Sequence, residues 1–184
     1  ATNNGCTTTS RTSVLASITA IPSAPTGTAS QSFCSGASPK VSDLTATGTS
    51  ILWYSASSGG SSLSTGLSLT DGNHYYASQT VSGCESSSRF DVTATVKVTP
   101  TIATTSPSSN CGTGTVNLGA TASAGTVSWY SASSGGSSLS TGTSYTTPSI
   151  SSNTTYYVDA TNNGCTTTSR TSVLASITAI PSAP

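Results

Sequence analysis

Few side chains in this sequence can bond covalently, hold a metal or move a proton. The single histidine, His74, lies in DGNHYY just before an expected strand. A nucleophile–base pair or a histidine metal site needs partners, so His74 reads as a solvent-facing turn residue. The five acids, Asp43, Asp71, Glu85, Asp91 and Asp159, are scattered. They form no DxDxDG loop able to hold calcium, and Asp71-Gly72-Asn73 reads as a turn. SSGGSS lacks the GxxxxGK frame of a phosphate loop. Asn153-Thr154-Thr155 is a glycosylation sequon, relevant only in a host that uses it. No catalytic residue, cofactor site or metal site is expected. That leaves the five cysteines, Cys6, Cys34, Cys84, Cys111 and Cys165, whose chemistry here would be disulfide formation.

Two nested repeats say what must position those cysteines. The first 25 residues, ATNNGCTTTSRTSVLASITAIPSAP, recur unchanged at 160–184. The match implies a tandem array with a 159-residue period, and the chain reads as a stretch of something longer. Inside that period, WYSASSGGSSLSTG occurs at 53–66 and again at 129–142. Around it the same features recur in order: Cys34 or Cys111, the Trp-Tyr pair, Tyr75-Tyr76 or Tyr156-Tyr157, Cys84 or Cys165, then Arg89 or Arg170 five residues on. Pro100 and Pro181 close the copies. The organisation expected is therefore a tail of a preceding domain (1–21) and two domains, 22–100 and 101–184. The second copy carries five extra residues between Gly142 and Tyr156.

Each copy alternates with period two, the mark of half-buried strands. Val116, Leu118, Ala120 and Ala122 share one face, as do Val127 and Trp129. Tyr156, Val158 and Ala160 form a third inward row, and Phe90, Val92, Ala94, Val96 and Val98 a fourth. Short strands between Gly, Ser and Asn turns, with a mid-domain Trp, indicate all-β, immunoglobulin-like or fibronectin-like sandwiches in a head-to-tail rod. Trp53, Trp129, Tyr75 and Tyr156 are the expected core aromatics, with one Tyr of each pair near the position of a tyrosine corner. Tyr54 and Tyr130 point the other way, toward a ligand or a neighbouring loop. Arg89 and Arg170 are expected to cover a strand face with their aliphatic stems.

Composition bounds the partners. The chain holds 41 Ser and 36 Thr, only 5% charged residues and no net charge. Nucleic acid and acidic lipid are captured mainly by Lys and Arg, so neither is an expected partner. No run of 18 apolar residues offers a membrane span, and a signal peptide is not expected in the opening residues, which lack a basic segment followed by an apolar core. Frequent Val, Ile and Thr argue against disorder.

The order Cys, Trp-Tyr, Gly-Gly…Leu…Gly, Tyr-Tyr, Gly-Cys-x-x-x-x-Arg resembles the immunoglobulin-like repeats of very large surface proteins in Bacteroidota. The near-identical pairing of domains is similar to the gliding-motility adhesins of flavobacteria. The resemblance covers both domains. It implies extracellular display at the cell surface as a long filament, export by the type IX route and a cell-surface motor track as partner. A structural spacer is the function expected, its neighbours being repeats of the same chain. The alternatives are a polysaccharide-binding array gaining avidity from repetition and a spacer region of a secreted hydrolase. A domain of this size spans roughly 40 Å at about 3.3 Å per strand residue plus loops.

Export makes disulfides plausible, and two pairings stay open. Within domains the bonds would be Cys34–Cys84 and Cys111–Cys165. However, Cys34 and Cys111 precede the expected second strand of the sandwich, at one end. Cys84 and Cys165 lie in the turn before the last strand, at the other end. Those ends are some 20 Å apart at about 3.3 Å per residue, beyond the roughly 7 Å a disulfide allows. Across a head-to-tail junction Cys34 would instead meet Cys165. Cys6 is the repeat-equivalent of Cys165.

Overall fold

The structure is a computed structural model that describes residues 2–7 and 9–181. Its strands run in chain order as β1 (Thr2–Asn3), β2 (Cys6–Thr7), β3 (Ser30–Cys34), β4 (Leu52–Tyr54), β5 (His74–Ser78), β6 (Thr80–Val81), β7 (Cys84–Glu85) and β8 (Phe90–Lys97). They continue as β9 (Ile102–Ser106), β10 (Ser108–Cys111), β11 (Asn117–Ala122), β12 (Thr126–Tyr130), β13 (Ser140–Thr141), β14 (Ser144–Thr146), β15 (Thr154–Asn162), β16 (Cys165–Thr166) and β17 (Thr171–Thr178). The buried apolar residues fall into two separate clusters. One is built on Trp53 with Val41, Leu44, Leu69, Tyr75, Ala77, Val92 and Ala94. The other is built on Trp129 with Val116, Leu118, Ala120, Val127, Tyr156, Val158, Val173 and Ala175. Two cores make two all-β domains.

The second domain is a two-sheet sandwich. One sheet runs β10-β17-β15-β12-β13 and the facing sheet β14-β11-β9. The alternating rows meet between them: Val116, just before β11, with Leu118 and Ala120 on it, packs with Val127 and Trp129 from β12. Trp129 is fully buried and its indole N–H donates to the Gly142 carbonyl at 2.9 Å. Strand β14 follows just after Gly142, and its Tyr145 stacks on Trp129 at 5.5 Å between ring centroids. Strand β10 runs parallel to β17, so the first strand of the domain splits between the two sheets.

The first domain keeps one full sheet, β3-β8-β5-β4, with β3 parallel to β8. Its facing sheet is reduced to single bridges, Thr26 to Thr47 and Lys40 to Ser68. A 3₁₀ turn over Val41–Asp43 stands where the second strand was expected. Three residues per turn bring Val41 and Leu44 onto one face, where β11 uses alternation. Gln31 replaces missing ladder bonds: its amide donates to the Thr45 carbonyl at 2.7 Å and accepts from the Thr45 N–H at 3.0 Å. Tyr75 accepts the Thr70 N–H on its hydroxyl at 3.0 Å, a corner that ties β5 to the preceding loop. The inward row expected along β8 stops short, because Val98 lies beyond the strand and is 75% exposed.

Residues 1–21 were expected to hold closing strands of a preceding domain. They contain the small hairpin β1-β2, but residues 11–21 form no strand. The octapeptide TSVLASIT at 12–19 is identical to β17, yet Val14, Leu15 and Ile18 are almost fully exposed there. In the second domain the same eight residues pair with β10 and β15 and bury Val173 and Ala175.

Candidate functional site at the domain junction

Cys34 is the last residue of β3, opposite Lys97 at the end of β8. Cys165 opens β16, just past a two-residue turn in which Asn163 and Gly164 have φ of 51° and 83°. Paired positive φ angles match the twist of a tight hairpin, and the turn sets Cys165 at the tip of the second domain. The two cysteines are joined by a disulfide with Cα atoms 5.6 Å apart and a sequence separation of 131 residues. Ser32, Phe33, Cys34 and Lys97 from one domain meet Asn163, Gly164 and Cys165 from the other around a cleft of about 120 Å³. Gly36 lets the backbones close up: a Cβ there would stand 2.9 Å from Cγ2 of Thr168 in the next domain. Pro100 in the connecting segment is fully buried, so the link is packed between the domains.

The within-domain alternatives, Cys34–Cys84 and Cys111–Cys165, do not form, and Cys84 and Cys111 are free thiols. Cys34 sits at the end of β8, whereas Cys84 sits in the hairpin that leads into its start. Phe90–Lys97 alone spans about 23 Å at roughly 3.3 Å per residue. Cys34 does precede the place of the second strand, and it also ends a strand of its own, β3.

A second arrangement recurs in both domains. The Arg89 guanidinium carbon lies 3.3 Å from the Tyr54 ring centroid, and Arg170 stands at the same distance over Tyr130. Arg89 donates to the carbonyls of Ala56 and Gly59, and Arg170 to those of Ala132 and Gly135. Each arginine thus latches the SASSGG loop onto the tyrosine of its Trp-Tyr pair. The expectation that these arginines act through their aliphatic stems is corrected: the guanidinium does the holding, because it can stack and donate at once. Tyr54 and Tyr130 do point away from the core, but their faces are covered by the arginine. The signal was present in the sequence, since Tyr, loop and Arg recur together in a chain with so few charges.

The acid beside each latch differs. In the second domain Asp159 is buried and accepts from Arg170 Nε at 3.2 Å. In the first, Glu85 accepts from the hydroxyls of Tyr54, at 2.7 Å, and of Ser78. Those two donors, Ser78 first and then Tyr54, hold the Glu85 carboxyl below its ordinary pKa. The same bond, with burial, raises Tyr54 above its ordinary value. Burial also raises Tyr156 and Tyr145.

His74 begins β5 and bonds Asp91 at 2.8 Å, both about half exposed. With Asn73, Tyr76, Ser55 and Leu67 it borders a shallow, open groove of about 360 Å³. Asp71 accepts the Val96 N–H at 2.8 Å beside the turn glycine Gly72. Asn153, in the sequon, likewise accepts the Ile177 N–H at 2.7 Å. Among the described residues no three His, Cys, Asp or Glu side chains gather as metal ligands do. Among the described residues, no helix is long and apolar enough to cross a membrane.

Among solved structures the chain is similar to the fibronectin(III)-like modules of Clostridium thermocellum CbhA, at 18% identity over 86% of this chain and 92% of that one, with a TM-score of 0.39. It is also similar to extracellular domains 3–5 of Drosophila OTK, at 13% identity over 84% of this chain and 60% of that one, with a TM-score of 0.42. Titin domains I67–I69 match at 15% identity over 71% of this chain and 54% of that one, with a TM-score of 0.30. No curated protein matches the chain significantly. The sequence profile of the family described as Ig-like domain CHU_C associated matches residues 22–97 and again 98–179. With those two matches filling most of its length, the chain belongs to the CHU_C-associated Ig-like domain family.

Proposed function

We propose that this chain is a spacer segment of a filamentous surface adhesin, of the kind the flavobacterial gliding adhesin SprB represents. Its job is to set length and stiffness between the cell and an adhesive region elsewhere. The disulfide that fastens one domain to the next carries this reading, because a bond across a junction removes the hinge that tandem domains have by default. The near-identical repeats support it too, since no single residue need differ between copies of a spacer. A disulfide also fits an oxidising, extracellular location. Antibodies raised against this chain, used on intact cells of the source organism, test the reading. Labelled filaments, lost with a very large protein after surface proteolysis, are expected. Labelling only inside lysed cells would overturn it.

The groove beside His74 and Tyr76 favours a second reading, a polysaccharide-binding array. An aromatic side chain beside polar groups in an open groove suits a sugar ring. A glycan array probed with the whole chain separates the two. The spacer reading expects no binding. Binding lost in Tyr76→Ala would favour the array.

A further inference from the structure

The free thiols sit where the bonded ones do. Cys111 ends β10 opposite Thr178, as Cys34 ends β3 opposite Lys97, each on a strand parallel to the last strand of its domain. Cys84 follows Ser82 and Gly83, with φ of 49° and 82°, and opens β7 opposite Val81. Cys165 follows Asn163 and Gly164, with φ of 51° and 83°, opposite Asn162. Cys6 follows Asn4 and Gly5 in the same turn, opposite Asn3. So every domain carries one strand-end cysteine and one hairpin cysteine. The single junction that is complete here consumes one of each. Cys6 and Cys111 are exposed and Cys84 is half buried, all open to a partner.

We propose that Cys111 and Cys84 are the open halves of two further staples, so that a disulfide crosses every junction of the array. Cys111 bonds the hairpin cysteine of the domain that follows, the next period's equivalent of Cys84. Cys84 bonds the strand-end cysteine of the domain that precedes, the previous period's equivalent of Cys111. Cys6 pairs with the equivalent of Cys34 one period earlier. The inference rests on the tandem-array reading of the 159-residue period. The chemistry is thiol–disulfide exchange. One thiolate attacks the disulfide of an oxidised carrier protein, giving a mixed disulfide. The facing thiolate then displaces the carrier, which leaves as a dithiol with two electrons. The two protons given up by the cysteine thiols end on the carrier's dithiol, so none is released overall.

The test uses this chain extended by one further period and oxidised with a disulfide-exchange carrier. Four cysteines are added, yet the free-thiol count in denaturant should stay at three, as in the chain itself. Peptide mapping without reductant should recover Cys111 joined to the added copy of Cys84. Cys111→Ser in the extended chain should then raise the thiol count by one, because it strands a partner. If Cys111 is not bonded, the count stands at five while the Cys34–Cys165 peptide is present, and the same substitution lowers it by one. That result overturns the inference. The size of the native protein on a reducing gel separately tests the array itself. A single period there would sink the array reading without altering the bonding result.

Discussion

At Arg170 the guanidinium leans on Tyr130 and also neutralises Asp159, whose side chain is 8% exposed and whose second oxygen has no partner. Arg170→Ala would leave that carboxylate buried and unpaired, a loss of about 3–5 kcal/mol. Arg89 stacks on Tyr54 in the same way, but its neighbouring acid, Glu85, is exposed and held by hydroxyls instead. Arg89→Ala should cost about 1 kcal/mol, the scale of a surface cation–π contact. Urea denaturation of the two variants checks this; equal losses would show that the stack, not the ion pair, sets both. Glu85 gives a pH prediction. Its pKa is depressed in the fold by Ser78 and Tyr54, so its contribution is complete above the ordinary carboxylate value of 4.5. It is lost as pH falls through the depressed value. The stability of the first domain, followed by Trp53 fluorescence in a Trp129→Phe background, should fall over that acid window. In Glu85→Gln this part of the fall should disappear.

The hairpin turn that presents Cys165 depends on Gly164 holding a φ of 83°. Gly164→Val forces a branched side chain into the left-handed region, at a cost of about 1–2 kcal/mol. It should slow formation of the Cys34–Cys165 bridge in a refolding assay read by peptide mapping. An unchanged rate would mean that the turn does not place the cysteine. Much at this scale was legible in the sequence. The alternation of Val116, Leu118 and Ala120 gave β11, and the repeated Trp-Tyr and Gly-Cys marks gave the facing strands and the hairpins. The 3₁₀ turn at Val41–Asp43 was not legible, because one extra residue between apolar positions disguises the strand it replaces. The octapeptide at 12–19 could not be read locally either. It is a strand at 171–178 only because β10 and β15 flank it there, which sequence identity cannot convey. The arginine latches were half legible: the recurrence was visible, but not that a guanidinium would reach loop carbonyls more than 30 residues away.

Both domains share one covalent closure over 131 residues. A loop of that size removes about 5 kcal/mol of chain entropy from the unfolded state, by the loop-closure estimate. Reduction should therefore lower the urea midpoint of the pair, and Cys34→Ser should reproduce the loss without reductant. A midpoint unmoved by either would show that the junction packing alone holds the domains. The same closure fixes how the protein answers a pull. Once the outer segments are drawn out, tension entering near residue 22 and leaving near residue 181 crosses from Cys34 to Cys165 through one sulfur–sulfur bond, so the intervening chain cannot be extended. At roughly 3.5 Å per residue, some 460 Å of backbone is thereby kept out of reach. In single-molecule pulling the oxidised chain should lengthen only by its short outer segments, and the missing hundreds of ångströms should appear once reductant is added. Without such a bond, the domains of a series could each be drawn out in turn under load. Bolted in this way, they make a tow line that barely gives.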